Sequence, residues 1–299
     1  MPIARTSIHH ERRVFLLALA SRLCVLAIMV TADAAFQDLD TSTHLQNFPC
    51  DASIPHTHST TIIDQLAPWD SVYFIRIAKC GYENDKSNAF FPLLPLLMRY
   101  TAKLTFLDRA SSTTHVPIES TYTLIGLFVS LISFSVAAVA LWRLSLLVFG
   151  DEEQGKVVAA MAVLLFCCNP ASVFYSAAYT ESVYTACSWL GLLSLHSSPI
   201  DSARRDTKTT ESNHNKTYIK QYIHALFWLT LSTAARSNGI LLAWYLVHHH
   251  IRRACMTKTQ ARSVWRGYTT IAVAMSCIIV CIPYLAMQGT FLFSLPMYQ

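Results

Sequence analysis

Charge is scarce in this chain. Asp, Glu, Lys and Arg supply 14% of its 299 residues, where soluble globular domains carry roughly 25%. That leaves too little polar surface to keep a folded domain dissolved. With 53% of its residues hydrophobic, the expected class is an all-α polytopic membrane protein. Other absences narrow the function. No exposed stripe interleaves basic and aromatic residues, so nucleic acid is not an expected partner. The nine cysteines follow neither a zinc nor a redox spacing. Cys167, Cys168, Cys187, Cys277 and Cys281 lie in apolar stretches and read as small hydrophobes. No internal repeat or inverted pairing of segments is visible, which argues against a transporter. The run His248-His249-His250 points three ways around a helix rather than at one ion. Beside Arg252 and Arg253 it reads as a cytoplasmic cap, and no metal is expected.

What is present is a series of apolar stretches separated by polar ones. Residues 14–32 come first, preceded by Arg5, Arg12 and Arg13. Ala32-Asp33-Ala34 resembles a signal cleavage site, but Arg22 is foreign to a signal core. An uncleaved first transmembrane helix with a cytoplasmic N-terminus is therefore expected, with Arg22 snorkelling to a headgroup. Residues 33–88 form the longest polar stretch, a large first loop on the far side of the membrane. Cys50 and Cys80 lie in it and can pair in an oxidising lumen, although sequence does not fix whether they meet. Residues 90–107 carry Pro92 and Pro95 at their start and Arg99 and Lys103 inside. A charge at the bilayer centre costs about 2.5–3.5 kcal/mol on insertion scales. An amphipathic helix lying in the interface avoids that cost and is favoured over a short span.

Residues 122–149 are a clear span, with Arg143 near the end placed to snorkel. Residues 157–175 are the next, interrupted by Asn169-Pro170, which frees backbone carbonyls within the membrane. Residues 182–195 continue after a polar tip, Tyr179-Thr180-Glu181. Basic stretches at 199–220 and 248–266 flank an apolar one at 222–247, which is broken by Arg236-Ser237-Asn238-Gly239. A single span, for which the length is comfortable, would place one basic flank on the far side, whereas folding the stretch back at the break leaves both cytoplasmic and is favoured. The sequon Asn215-Lys216-Thr217 then stays unused. Residues 267–287 are the last span. This topology gathers three polar tips on one face: the Trp69-Asp70 loop, Glu181, and residues 236–238.

Three phrases carry a family resemblance. Trp69-Asp70 is followed by Ile77-Ala78, Gly81-Tyr82 and Ala89-Phe90-Phe91-Pro92-Leu93-Leu94-Pro95. Then come Asn169-Pro170-Ala171-Ser172-Val173-Phe174 with Ala177-Ala178-Tyr179-Thr180-Glu181-Ser182, and finally Ala235-Arg236-Ser237-Asn238-Gly239. In order and spacing they resemble the GPI mannosyltransferase 2 (PIG-V) family, from the first helix to about Ile282-Pro283. The resemblance implies a GT-C-type multi-span glycosyltransferase of the endoplasmic reticulum membrane, its first luminal loop carrying amphipathic helices and residues 1–299 forming a single domain. It implies transfer of the second mannose from dolichol phosphate mannose to a GPI-anchor precursor, in α-1,6 linkage with inversion, on the luminal face. The donor is a substrate, and no cofactor is implied. Whether an accessory membrane subunit is needed stays open. Val72-Tyr73 departs from the acidic and His positions expected after the Trp-Asp pair. Family members also continue well past residue 299, so a C-terminally truncated chain is expected. A GT-C transferase with another lipid-linked or protein acceptor is the alternative, and a multi-span transporter a more distant one.

Inversion needs one displacement, so a single carboxylate suffices as general base. The phosphate leaving group is already acidic and needs no partner acid, unlike glycoside hydrolysis. Asp70 is the expected base, against the simpler reading of a loop Asp capping a short helix. Trp69 either stacks on a sugar or anchors the loop at the interface. Arg236 is the candidate phosphate cation, or else the structural partner of Glu181. Glu181 in turn either orients the acceptor or only holds helices together. Arg76 and Lys79, three apart on one helical face, bind a headgroup or the donor phosphate, or are a solvated face. Asn238 bonds a sugar hydroxyl or enables a turn with Gly239.

Overall fold

The computed structural model describes residues 2–35, 50, 63, 66–83, 85–105, 118–197, 211–256 and 262–294. Every regular element among them is helical, as expected for a polytopic membrane protein, because only helices satisfy each backbone group within their own segment in lipid. Three stretches, Ile8–Ala35, Ile118–Phe149 and Thr270–Gly289, are long and apolar enough to cross a bilayer. They coincide with the apolar stretches at 14–32, 122–149 and 267–287, each an expected span.

The first helix, α1 (Pro2–Ala35), lies antiparallel to α4 (Ile118–Phe149). His10 stacks on Trp142 with centroids 6.1 Å apart. One turn further in, Val14 and Ala18 are buried in the cluster that holds Phe134 and Ala138. Small residues on α4 (Ser130, Ser135, Ala137, Ala138) are fully buried and let helices approach closely, as small residues do inside membranes. Arg143 does not simply reach outward. It grips Glu11 of α1 through two bonds, at 2.9 and 2.6 Å.

Arg22 departs further from expectation. It is fully buried and does not snorkel. Its guanidinium instead meets the break between α5 (Glu153–Cys167) and the one-turn α6 (Ser172–Ser176). The expected span at 157–175 therefore stops at Cys167, after 15 helical residues, about 22 Å at helical rise.

Between α1 and α4 stand two short helices, α2 (Ser71–Cys80) and α3 (Leu93–Leu104). Twelve residues of α3 span about 18 Å, too short for a hydrocarbon core of about 30 Å. Leu94, Pro95, Met98 and Ala102 face inward while Leu96, Leu97, Tyr100 and Leu104 are exposed, which fits the interfacial reading. Arg99, awkward in a span, donates to the last carbonyls of α2: Ala78 at 2.7 Å, Ile77 at 3.2 Å and Lys79 at 3.2 Å. A cation there satisfies orphan carbonyls and complements the helix dipole.

The second half is a layered set of α7 (Thr180–His196), α8 (Glu211–Ala235), α9 (Ala243–Met256) and α10 (Arg262–Ser294). The fold-back expected at Arg236 is present. Helix α8 ends at Ala235, Arg236 is extended, and a 3-10 turn (Ser237–Leu242) leads into α9. Helix α9 then returns along α8, so that Leu229 clusters with Leu242 and Leu246. Further along, Tyr222 meets His250 at 5.4 Å and Tyr218 stacks on His249 at 6.1 Å. The histidine run is thus only partly a cap, since His249 is buried and only His248 is exposed. The side chain of Asn215 in the sequon lies outside the described residues, as do Arg204, Arg205 and Lys208 and the loop carboxylates Asp38, Asp40, Asp51 and Asp64.

Candidate active site

The site is built on the turn that starts α2. Trp69 is the one described non-glycine residue with positive φ, at 44°. A bulky side chain rarely adopts that region, and holding it there costs about 1–3 kcal/mol. The consequence is a sharp entry into the helix: Ser71 N–H reaches Pro68 O at 3.1 Å and Tyr73 N–H reaches Asp70 O at 3.0 Å. Asp70 occupies the cap position, but its side chain makes no capping bond and is exposed. The carboxylate is therefore not used up by the helix.

What holds this turn is Tyr179. Its phenol oxygen accepts Asp70 N–H at 2.8 Å and donates to Pro68 O at 3.3 Å. Burial raises this phenol above its ordinary range, so it stays a donor through physiological pH. Aromatic rings surround the contact. Trp69 lies 5.6 Å from Phe174, and Phe174 meets Tyr179 edge-on at 5.2 Å. On the other side Phe74 approaches Tyr179 at 6.2 Å. The segment carrying Tyr179 is pressed against α4. A Cβ on Gly126 would come 2.7 Å from Ala178 Cβ and would collide with Met98 Cε, so only glycine lets α3, α4 and this segment meet.

Two residues beyond Tyr179, Glu181 stands in the first turn of α7, where an acid is favoured by the helix dipole. It forms an ion pair with Arg236 at the end of α8. The other carboxylate oxygen, Oε2, is buried without a partner among the described residues. Arg236 uses Nη1 on Glu181, and its other guanidinium nitrogens have no partner among the described residues. Asn238 follows on the exposed side of the 3-10 turn. Gly239 packs so close to α8 that a Cβ would collide with backbone atoms of Thr233. The three polar tips thus meet at one end of the bundle, through a continuous run from Asp70 to Tyr179 to Glu181 to Arg236.

Arg76 and Lys79 lie apart from this run. Each is neutralised by an acid: Arg76 by Glu83 at 2.7 Å, and Lys79 by Glu119 at the head of α4. They are neither a solvated face nor two free cations. Cys50 and Cys80 form a disulfide, with Cα atoms 5.5 Å apart, tying the first loop to the end of α2. Glu83 lies beside these sulfurs, but bonded sulfurs are not metal ligands. Glu119, Glu83 and the anchoring use of Tyr179 were not singled out from the sequence. The signal for Tyr179 was its place in a polar tip two residues before Glu181.

A helical membrane protein with an exposed carboxylate, an aromatic surround and a carboxylate–guanidinium pair at one end is the class defined so far. The chain belongs to the family described as Mannosyltransferase (PIG-V), whose model matches residues 11–294. Among similar proteins, GPI mannosyltransferase 2 of Drosophila melanogaster is 28% identical over 255 residues, 82% of this chain and 51% of that protein. GPI alpha-1,6-mannosyltransferase 2 of Mus musculus is 28% identical over 231 residues, 76% of this chain and 40% of that protein. GPI mannosyltransferase 2 of Schizosaccharomyces pombe is 26% identical over 225 residues, 72% and 39% respectively. The chain therefore spans about half or less of the length of these relatives. No solved structure matches it.

Proposed function

We propose that this chain carries the catalytic face of a GT-C-type transferase. It moves the second mannose from dolichol phosphate mannose to a GPI-anchor precursor, at the luminal side of the endoplasmic reticulum membrane. The acceptor hydroxyl attacks C1 of the mannose, forming an α-1,6 bond with inversion. The C1–O bond to phosphate breaks, and its electron pair leaves with dolichol phosphate. Asp70 takes the proton lost by the hydroxyl, which typically contributes about 10²–10⁴-fold. Arg236 balances the charge on the departing phosphate with the N–H groups that Glu181 leaves free. The Glu181 carboxylate orients the acceptor, Asn238 bonds a sugar hydroxyl, and Trp69 offers an aromatic face to a sugar ring. Arg76 and Lys79, each already paired, are proposed to act on anionic headgroups only at the rim of the site.

The observation that supports this reading is the Tyr179 bridge, which ties the motif holding Asp70 to the motif holding Glu181, and Glu181 in turn pairs with Arg236 of the third motif. The test is complementation. Cells deficient in each GPI mannosylation step in turn would receive this chain. Rescue of the second-mannose deficiency alone is expected. Rescue of a different step, or of none, overturns the proposal.

A further inference from the structure

Arg22 is the largest fully buried side chain in the described structure, yet it lies on a membrane-spanning helix remote in sequence from every motif. Apart from Nε, which donates to Ser21 Oγ on its own helix at 3.3 Å, its bonds converge on one feature. Nη2 donates to Cys167 O at 2.6 Å and Nη1 to Ser172 O at 3.1 Å. Nη2 also reaches Ser172 Oγ at 3.3 Å. The guanidinium carbon sits 4.2 Å from the centroid of Phe134. The two carbonyls flank Asn169-Pro170, where the helix ladder stops. Ser172 and Asn169 cross-bond within the same turn, and Asn169 Oδ1 accepts Ala171 N–H at 2.8 Å.

A broken helix in lipid needs something to satisfy its freed carbonyls, and a charge there is retained only for a strong reason. The turn that Arg22 holds leads directly into α6, which carries Phe174, and then to Tyr179. Phe174 and Tyr179 are the groups that contact Trp69 and Asp70. We infer that Arg22 is a positioning residue for the reaction. It fixes the Asn169-Pro170 break from across the bundle, and through α6 and Tyr179 it sets the Trp69-Asp70 turn. Only the kinetic arm of the test below rests on the mannosyl-transfer reading.

The experiment compares the full chain with Arg22→Met and Arg22→Lys by amide hydrogen exchange read by mass spectrometry. Asp70 N–H is bonded to Tyr179, so its exchange reports the remote turn directly. Arg22→Met is expected to speed exchange in peptides covering 166–180 and also 68–74 by about 10- to 100-fold, as loss of charge-assisted bonds permits local opening. Peptides from α8 to α10 should stay unchanged. Arg22→Lys, which keeps the charge and part of the bonding, should fall between. In transfer assays kcat should drop with KM little changed, and Tyr179→Phe should add little to Arg22→Met. Acceleration confined to 166–172, or spread equally over all helices, overturns the inference. Were the wild-type chain to show no transfer, the exchange result would still decide the role of Arg22, and the mannosyl-transfer reading alone would fall.

Discussion

The phenol oxygen of Tyr179 accepts the backbone N–H of Asp70 at 2.8 Å. This one bond joins the first polar loop to the start of α7. Because Tyr179 also donates to Pro68, it holds both sides of Trp69 in a conformation that tryptophan would otherwise avoid. The carboxylate of Asp70 is thereby set at the mouth of the bundle without being consumed by a helix cap.

Tyr179→Phe should therefore impair the reaction while sparing the fold. Two neutral hydrogen bonds disappear but the aromatic packing stays. A loss of about 1 kcal/mol of stability is expected, with transfer slowed by about tenfold or more as Asp70 loses its fixed place. Thermal unfolding of the detergent-extracted protein and a labelled-mannose assay would separate the two effects.

The Glu181–Arg236 pair supports a different forecast. Removing either partner leaves a half-buried charge and should cost about 1–2 kcal/mol, less than for a fully buried pair. Exchanging the two residues, Glu181→Arg with Arg236→Glu, should restore much of the unfolding temperature. It should not restore transfer if Arg236 serves the proposed phosphate, since the exchange moves the cation to the other helix. Recovery of both would reduce the pair to a structural link.

Gly239 is fixed by backbone contact rather than by its own dihedrals. In Gly239→Ala the new methyl would press on Thr233 and Ser232 main-chain atoms, which cannot turn aside as a side chain can. Overpacking of this kind costs about 1–3 kcal/mol. A lowered unfolding midpoint, with wild-type membrane insertion, is the expected result.

The Cys50–Cys80 disulfide closes a loop of 30 residues. Cys80→Ser should destabilise the loop end of the protein by about 2–4 kcal/mol. Non-reducing peptide mapping should recover the two cysteines linked in wild type.

Much of this architecture is legible from residue patterns. Long apolar runs mark α1, α4 and α10. The basic flanks around 222–247 favour a fold-back over a single span, and the Arg236–Gly239 break shows where it falls. Alternation of charge and Pro at 92–103 argues against a span, and α3 is correspondingly short. What stays hidden is pairing across the bundle. Arg22 carries no mark of the Cys167–Ser172 carbonyls, because depth in the membrane depends on how α1 packs against α4 and α5. The general rule for long cations near lipid suggests snorkelling, and a specific partner overrides it. Glu119 and Glu83 are invisible as partners of Lys79 and Arg76 for the same reason. Cys50 and Cys80 are 30 residues apart, and only the fold brings them together.

The most direct test of the account is the carboxylate itself. Membranes containing the chain, with Asp70 intact or changed to Asn, would be supplied with labelled dolichol phosphate mannose and the mono-mannosylated GPI precursor. Asn keeps the shape and the backbone bond to Tyr179 but cannot take a proton. With equal protein in the membrane, transfer should fall by about 10²-fold or more. Transfer at the wild-type rate in Asp70→Asn would contradict the account.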